Sequence, residues 1–344
     1  MSPRLIVVFF VSCVSLKASS ALNCTECTGS GGVWCIDTSA CNSSNCTVNI
    51  TVPLNCPSFP KSVYDDNFMR TQQMVIATAT QNENPQLCFD NQLPSMKLYQ
   101  YREVQCSTQF PNVTCVGYTA YDIKQKVIII AFKGGHRGEQ GIQLLEDVLL
   151  EGLHTYFPNN GKIFKVIYNY FMLLWNSGMH QDLRQLKYKY PNYELWVNGH
   201  SLGAMLTWTA SSYIATIGLY KPEEMKVVAM GAPRIGDYNF AEWHSATFPY
   251  SYHIVHRRDT GTRFPMVDPH SGTKLYHPRT EVWYNNYMKI GDPYEICPEA
   301  DGDYCSNTIT EGLLAEDHLY YFNIDLPAWG HAGCPKNISD YAQP

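Results

Sequence analysis

The sequence has few charged side chains and no strongly basic segment. Charged residues make up 16% of its 344 positions, and acidic residues outnumber basic ones by 31 to 25. The formal net charge is −6 and the isoelectric point lies near 6.0. Nucleic-acid-binding proteins need a basic surface, so this class of partner is excluded. A hydrophobic content of 45% suits one large domain with a small addition.

The sequence also lacks an apolar run long enough to predict a transmembrane helix. The N-terminal run LIVVFFVSCVSL covers residues 5–16, whereas spanning a bilayer takes about 20 residues. It follows Arg4 and precedes small residues that end at Ala21, an order typical of a cleaved secretory signal. We therefore predict a signal peptide at residues 1–21 and secretion of the protein. A short N-terminal membrane anchor is the alternative.

Aliphatic side chains are scarce in residues 22–57, where Cys, Asn, Ser, Thr and Gly dominate. Such a segment cannot bury a core and depends on cross-links. We predict a disulfide-rich module here and a main domain over residues 58–344. The residues of the module do not identify its role, and glycan binding, partner binding and capping of the main domain are the alternatives. Of the 13 cysteines one lies in the signal, and the remaining 12 predict disulfides. A zinc or redox pair at Cys24 and Cys27 is the alternative.

N-glycosylation sequons are frequent and suit a secreted surface. They lie at Asn23, Asn42, Asn45, Asn49, Asn112 and Asn337.

Strand and helix patterns alternate along the main domain. The uninterrupted apolar run VIIIAF at residues 127–132 is typical of a strand buried on both faces. Further strands are predicted at residues 117–121, 193–198, 226–230 and 252–256, and helices at 68–79, 141–153, 163–175, 179–190 and 202–217. This alternation predicts an α/β fold with a mostly parallel central sheet and helices on both faces.

The stretch VNGHSLGAML at residues 197–206 places Ser201 between Gly199 and Gly203. A predicted strand precedes this serine and a predicted helix follows it, which is the context of a nucleophile elbow. The amide groups at the start of the helix favour negative charge developing at the serine. Ser201 is therefore the candidate nucleophile.

A nucleophilic serine needs a base, and the base needs an orienting acid. His318 lies far downstream in EDHLYYF, and Asp259 lies between the two in a loop after the predicted strand 252–256. Side chains of an active site gather at such strand ends. Asp268 and Asp292 are alternative acids.

The other histidines suggest structural roles. His200 is interpreted as structural, His256 belongs to a strand end, and His270 and His277 fall in loops. Metal-binding spacing such as His-Glu-x-x-His is missing from the sequence, so neither a metal nor a cofactor is predicted.

Five motifs in the same order resemble the class 3, fungal-type lipases, and the likeness runs from about residue 65 to 330. They are AFKGG at 131–135, VNGHSLGAML at 197–206, MGAPRIGDYNFA at 230–241, YHPRTEVWY at 276–284 and EDHLYYF at 316–322. The resemblance implies an α/β-hydrolase fold and hydrolysis of carboxylic esters of lipids. It also implies that Ser201 is the nucleophile, Asp259 the acid and His318 the base.

The oxyanion hole is expected to combine the backbone N–H groups of Leu202 and Gly135. The family usually has Ser or Thr where this chain has Gly135, so we expect a weaker or more flexible hole. After Asp259 the family commonly reads Val-Pro, and this chain reads Gly261-Thr262.

The segment at residues 141–153 is amphipathic and lies where the resembling family has its lid. A packed surface helix is the alternative. Proximity and the resemblance also suggest the disulfides Cys106–Cys115, Cys297–Cys305 and Cys88–Cys334.

The sequence thus predicts a secreted serine hydrolase that acts on lipid esters at an interface, most simply a triacylglycerol lipase. Phospholipase A1 and feruloyl-type esterase are alternatives with the same chemistry. A non-catalytic lipid- or glycan-binding protein is disfavoured, because all three triad positions are filled.

Overall fold

The chain divides into two compact units, Met1–Cys56 and Pro57–Pro344. A computed structural model of the protein describes residues 22–58, 60–107, 113–135, 152–158, 161–265, 275–298, 301 and 304–344. The predicted signal peptide at residues 1–21 lies outside these ranges. None of the helices within them has the length and apolar character to cross a bilayer.

Disulfides take the place of a hydrophobic core in the first unit. Its bonds are Cys24–Cys56, Cys27–Cys41 and Cys35–Cys46. Among the described side chains of this unit, the buried apolar ones are three of these half-cystines and Ile50. A helix at Cys24–Gly29 packs beside a small antiparallel sheet of Ala40–Cys41, Trp34–Cys35 and Asn49–Ile50. Both cysteines of the CTEC pair are oxidised to other partners, so the zinc or redox interpretation is wrong.

An eight-stranded sheet organises the second unit. Its strands are β1 (Met96–Gln105), β2 (Thr114–Asp122), β3 (Val127–Phe132), β4 (Glu194–His200), β5 (Met225–Met230), β6 (Ser251–His256), β7 (Glu281–Tyr284) and β8 (Glu295–Cys297). They lie side by side in chain order. Strands β3 to β7 are parallel, and β1, β2 and β8 pair antiparallel at the two edges.

Helices cover both faces of this sheet. They are α1 (Asp66–Phe68, Met69–Gln73 and Met74–Ala79 in continuous succession), α2 (Gln86–Gln92), α3 (Lys165–Leu174), α4 (His180–Lys189), α5 (Leu202–Thr216), α6 (Tyr238–Thr247) and α7 (Leu326–His331). All six side chains of β3 are buried, and they alternate between the hydrophobic cores on the two faces. The predicted central strand and the predicted α/β-hydrolase fold are confirmed.

The helix predicted at residues 163–175 is wrong at its start. Lys162–Phe164 is a short strand that pairs with Leu153–Thr155, and α3 begins only at Lys165. A short apolar run satisfies either conformation, and pairing with a distant segment decides between them. Leu153, the last residue of the other predicted helix, is therefore in a strand, while residues 141–151 lie outside the described ranges.

Three disulfides tie the second unit together. Cys106–Cys115, Cys297–Cys305 and Cys88–Cys334 are the three pairs predicted, and all are confirmed. The last joins residues 246 positions apart and brings their Cα atoms to 4.7 Å.

Candidate active site

Ser201 occupies the turn between β4 and α5 in a strained backbone conformation. Its φ is 59° and its ψ is −126°, a region that residues with a side chain rarely enter. Its amide donates to the Met230 carbonyl on β5 at 2.9 Å, which holds the turn against the neighbouring strand. The turn therefore presents the hydroxyl at the carboxyl end of the sheet, as a nucleophile elbow does.

Two glycines make this turn possible. A Cβ at Gly199 would stand 2.3 Å from the carbonyl atoms of Gly203, and a Cβ at Gly203 would stand 2.2 Å from the carbonyl oxygen of Phe132. Contacts this short leave no room for a side chain at either position. The Gly-x-Ser-x-Gly pattern is thus a packing requirement where helix, elbow and β3 meet.

The structure brings Ser201, His318 and Asp259 into one hydrogen-bonded chain. Nε2 of His318 lies 2.8 Å from the Ser201 Oγ, and its Nδ1 lies 2.8 Å from Oδ1 of Asp259. The carboxylate accepts at Nδ1–H, so Nε2 is left to accept the serine proton. The Asp259 side chain is fully buried, and that of His318 is 20% exposed.

Two further donors fix the Asp259 carboxylate. The Gly261 amide donates to Oδ1 at 2.7 Å, and the Tyr321 hydroxyl donates to Oδ2 at 2.5 Å. Both oxygens of this fully buried carboxylate are therefore satisfied. Tyr321 is a site residue that was not predicted, although it lies in the EDHLYYF motif three residues after His318.

Asp259 and His318 shift each other's pKa. Burial acts to raise the pKa of Asp259, but His318 and the hydrogen bonds from His318 and Tyr321 outweigh it and lower that pKa. Burial acts to lower the pKa of His318, and the Asp259 charge reverses this and raises it above 6.5. Burial and the Asp259 charge raise the pKa of Tyr321, so its hydroxyl stays protonated. Asp259 is thus ionised, and Tyr321 remains a donor to it.

His200 is buried next to His318, and its hydrogen bond goes to the backbone of that residue and not to the serine hydroxyl. Its Nε2 lies 2.8 Å from the carbonyl oxygen of His318. Burial, followed by the neighbouring His318, lowers the pKa of His200 to about 3, so its imidazole is neutral at physiological pH. This contact fits the structural role predicted for His200 and gives it a defined partner.

The loop after β3 passes close to the elbow. A Cβ at Gly134 would stand 2.9 Å from the His200 carbonyl oxygen and 3.2 Å from the Ser201 Cβ. Gly135 follows as a half-buried residue, and Leu202 is the first residue of α5. The oxyanion role of the Gly135 and Leu202 amides stays a prediction.

The remaining candidates lie elsewhere or outside the described ranges. Asp292 accepts from the Lys289 amide in a turn and is not the partner of His318. His256 bonds the Asp317 carbonyl, and His277 bonds Asp301 and the Ala232 carbonyl. Asp268, His270 and residues 141–151 of the predicted lid fall outside the described residues.

The chain is similar to known lipases in sequence and in fold. Residues 129–268 match the family model described as lipase (class 3). An uncharacterized protein of Caenorhabditis elegans is 41% identical over 258 residues, which cover 74% of this chain and 93% of that protein. A lipase of the same organism is 28% identical over 268 residues, covering 69% of this chain and 72% of the relative. The solved triacylglyceride lipase of Rhizomucor miehei superposes with a TM-score of 0.61 at 19% identity, covering 77% of this chain and 97% of the other.

Proposed function

Since this chain belongs to the class 3 lipase family, a family of carboxylic ester hydrolases, we propose that it is a secreted triacylglycerol lipase whose triad is Ser201, His318 and Asp259. The observation that carries the proposal is the continuous hydrogen bonding from the Ser201 hydroxyl through the His318 ring to Asp259. A serine becomes a nucleophile at neutral pH when such a base lies within hydrogen-bonding distance.

In the first half-reaction, Ser201 Oγ attacks the ester carbonyl carbon while His318 Nε2 takes its proton. The negative charge passes to the carbonyl oxygen, where the amides of Leu202 and Gly135 are proposed to donate. His318 then gives the proton to the departing alcohol oxygen, and the acyl group stays on Ser201. Asp259 holds the Nδ1–H tautomer and stabilises the transient imidazolium.

Water completes the reaction on the same groups. His318 removes a proton from a water molecule as that water attacks the acyl-enzyme carbonyl, and then returns the proton to Ser201 Oγ. The fatty acid leaves and the free enzyme is restored. Each half-reaction begins with His318 neutral, so activity is expected to fall in acid as the ring becomes charged.

Three observations support the finer parts of the proposal. The solved fungal relative is named a triacylglyceride lipase. The signal-like start and the six disulfides suit an exported protein. The amphipathic pattern at residues 141–153 suits an enzyme that meets its substrate at a lipid surface.

The test measures fatty-acid release from a triolein emulsion, phosphatidylcholine vesicles and a short soluble ester. Wild type is compared with Ser201→Ala, with exposed Ser58→Ala as the matched control. We expect release to be fastest from triolein and to be lost in Ser201→Ala alone. Fastest release from phosphatidylcholine would instead identify a phospholipase, and absence of Ser201-dependent release from all three would leave a non-catalytic binding protein.

Secretion is tested separately by expressing the full chain in cultured animal cells. We expect the protein in the medium with a new N-terminus near residue 22, read by N-terminal sequencing. Retention in the membrane fraction with residues 1–21 intact would contradict this part of the proposal.

A further inference from the structure

Two buried histidines hold consecutive carbonyl groups of the loop that carries His318. Nε2 of His200 lies 2.8 Å from the His318 carbonyl oxygen, and Nδ1 of His256 lies 2.9 Å from the Asp317 carbonyl oxygen. A carbonyl oxygen can only accept, so each histidine donates through the named nitrogen. We propose that His200 and His256 form a clamp that positions His318 for catalysis. This inference rests on the proposed function.

Both clamp residues are themselves fixed by the sheet. His200 ends β4 and lies opposite Met230 of β5, and His256 ends β6. Their side chains are 5% and 0% exposed. Burial lowers the pKa of both rings, so each is held as a neutral donor. The clamp therefore ties the loop that carries His318 to the ends of β4 and β6.

The loop itself needs such support. His318 lies in a turn outside any strand or helix, and its amide makes a long 3.3 Å bond to the Ala315 carbonyl. Its imidazole must nevertheless meet Ser201 at one end and Asp259 at the other. Because His200 directly precedes Ser201, its donation to the His318 carbonyl sets the spacing between nucleophile and base.

The surroundings of His200 prevent its ring from turning away. Its centroid lies 4.8 Å from that of His318 and 5.3 Å from that of Tyr321. A Cβ at Gly231 would stand 3.2 Å from its Nε2, 3.0 Å from Oδ2 of Asp259 and 2.7 Å from the Tyr321 hydroxyl. Because Gly231 has no side chain, His200, Asp259 and Tyr321 can pack close together beside His318.

The donor geometry provides matched variants. Glutamine carries an N–H group near the place of a histidine Nε2, and asparagine carries one near the place of Nδ1. His200→Gln and His256→Asn should keep the clamp. His200→Asn and His256→Gln instead place the N–H group at the wrong distance from the backbone and are called the wrong-length variants. His200→Phe and His256→Phe fill the space without any donor.

The experiment measures the rate at which a fluorophosphonate labels Ser201, together with kcat and KM on a short soluble ester and thermal unfolding. The donor-free and wrong-length variants should lose about 10- to 100-fold in labelling rate and kcat, since misplacement near 1 Å has effects of that size. KM should stay unchanged, and His200→Gln and His256→Asn should recover most of the rate.

Two results would overturn the clamp. One is a folded Phe variant that labels as fast as wild type. The other is a set of folded variants in which the matched amides are as slow as the wrong-length ones. Labelling of Ser201 needs no natural substrate, so inactivity on lipid esters alone would count against the proposed function and leave the clamp measurable.

Discussion

The Cα of Gly261 lies directly against the imidazole of His318. A Cβ built at residue 261 would stand 2.2 Å from both Nδ1 and Cε1 of that ring. The same residue donates its amide to Asp259. A side chain at residue 261 could not coexist with the observed position of the His318 ring, so the glycine is part of how that ring is placed.

Gly261→Ala should therefore displace the His318 ring and lower kcat/KM by about 10²-fold, the size associated with misplacement of a catalytic group by 1 Å. Hydrolysis of a short soluble ester measures the effect. Gly29→Ala is the control, because a Cβ there meets nothing within 4 Å. Unchanged activity in Gly261→Ala would mean that the ring can move aside at no cost.

Tyr321→Phe removes the donor to Oδ2 of Asp259. Without this donor, the Asp259 carboxylate stabilises the His318 imidazolium more strongly, so the pKa of His318 should rise further. Because the proposed mechanism begins with His318 neutral, the acid limb of the kcat/KM profile should move to higher pH. Tyr188→Phe, at a side chain that is 91% exposed, should leave the profile in place. A limb that moves to lower pH in Tyr321→Phe would contradict this account.

Acid should destabilise the fold through buried neutral histidines. Burial lowers the pKa of His244 to about 3, while the unfolded chain takes up this proton near pH 6.5. The unfolded state therefore binds more protons between these values, and the free energy of unfolding falls as pH decreases through this window. Urea unfolding between about pH 7 and pH 4 measures the slope. His244→Phe should flatten it, and exposed His154→Phe should not.

Asp301→Asn should destabilise the fold by about 3–5 kcal/mol, the cost of breaking a buried ion pair. Asp301 receives Arg234 Nε at 3.1 Å and His277 Nδ1 at 2.9 Å, and its side chain is 5% exposed. Removing its charge leaves the Arg234 guanidinium buried without its carboxylate. Urea unfolding of this variant and of exposed Asp340→Asn provides the comparison, and equal stability of the two would show that the pair contributes nothing.

Local patterns predicted the elements that bury continuous apolar surface. The run at β3 and the strand–elbow–helix around Ser201 carry their structure in neighbouring residues, so both were predictable. Strand β1 was not, because its exposure pattern lacks strict alternation. The short strand Lys162–Phe164 was mistaken for helix, because its partner at Leu153–Thr155 is set by tertiary packing.

The candidate site divides in the same way. Motif order identified Ser201, Asp259 and His318, and the structure brings their side chains together. The roles of Tyr321, His200 and His256 were not predictable, because each rests on a contact between a strand end and a distant loop. The residues in these contacts are more than 60 positions apart, so no local pattern contains them. The contact between Gly261 and the His318 ring joins residues 57 positions apart, so the sequence alone does not reveal why a glycine stands there.

The Cys88–Cys334 bond has a mechanical consequence. Tension applied to the chain before residue 88 and after residue 334 would pass through the sulfur bridge and leave the intervening polypeptide slack. Ser201, Asp259 and His318 all lie within that closed loop. Stretching the oxidised protein from outside the bridge should therefore leave hydrolysis intact, and reduction of this one bond would expose the catalytic sheet to the load.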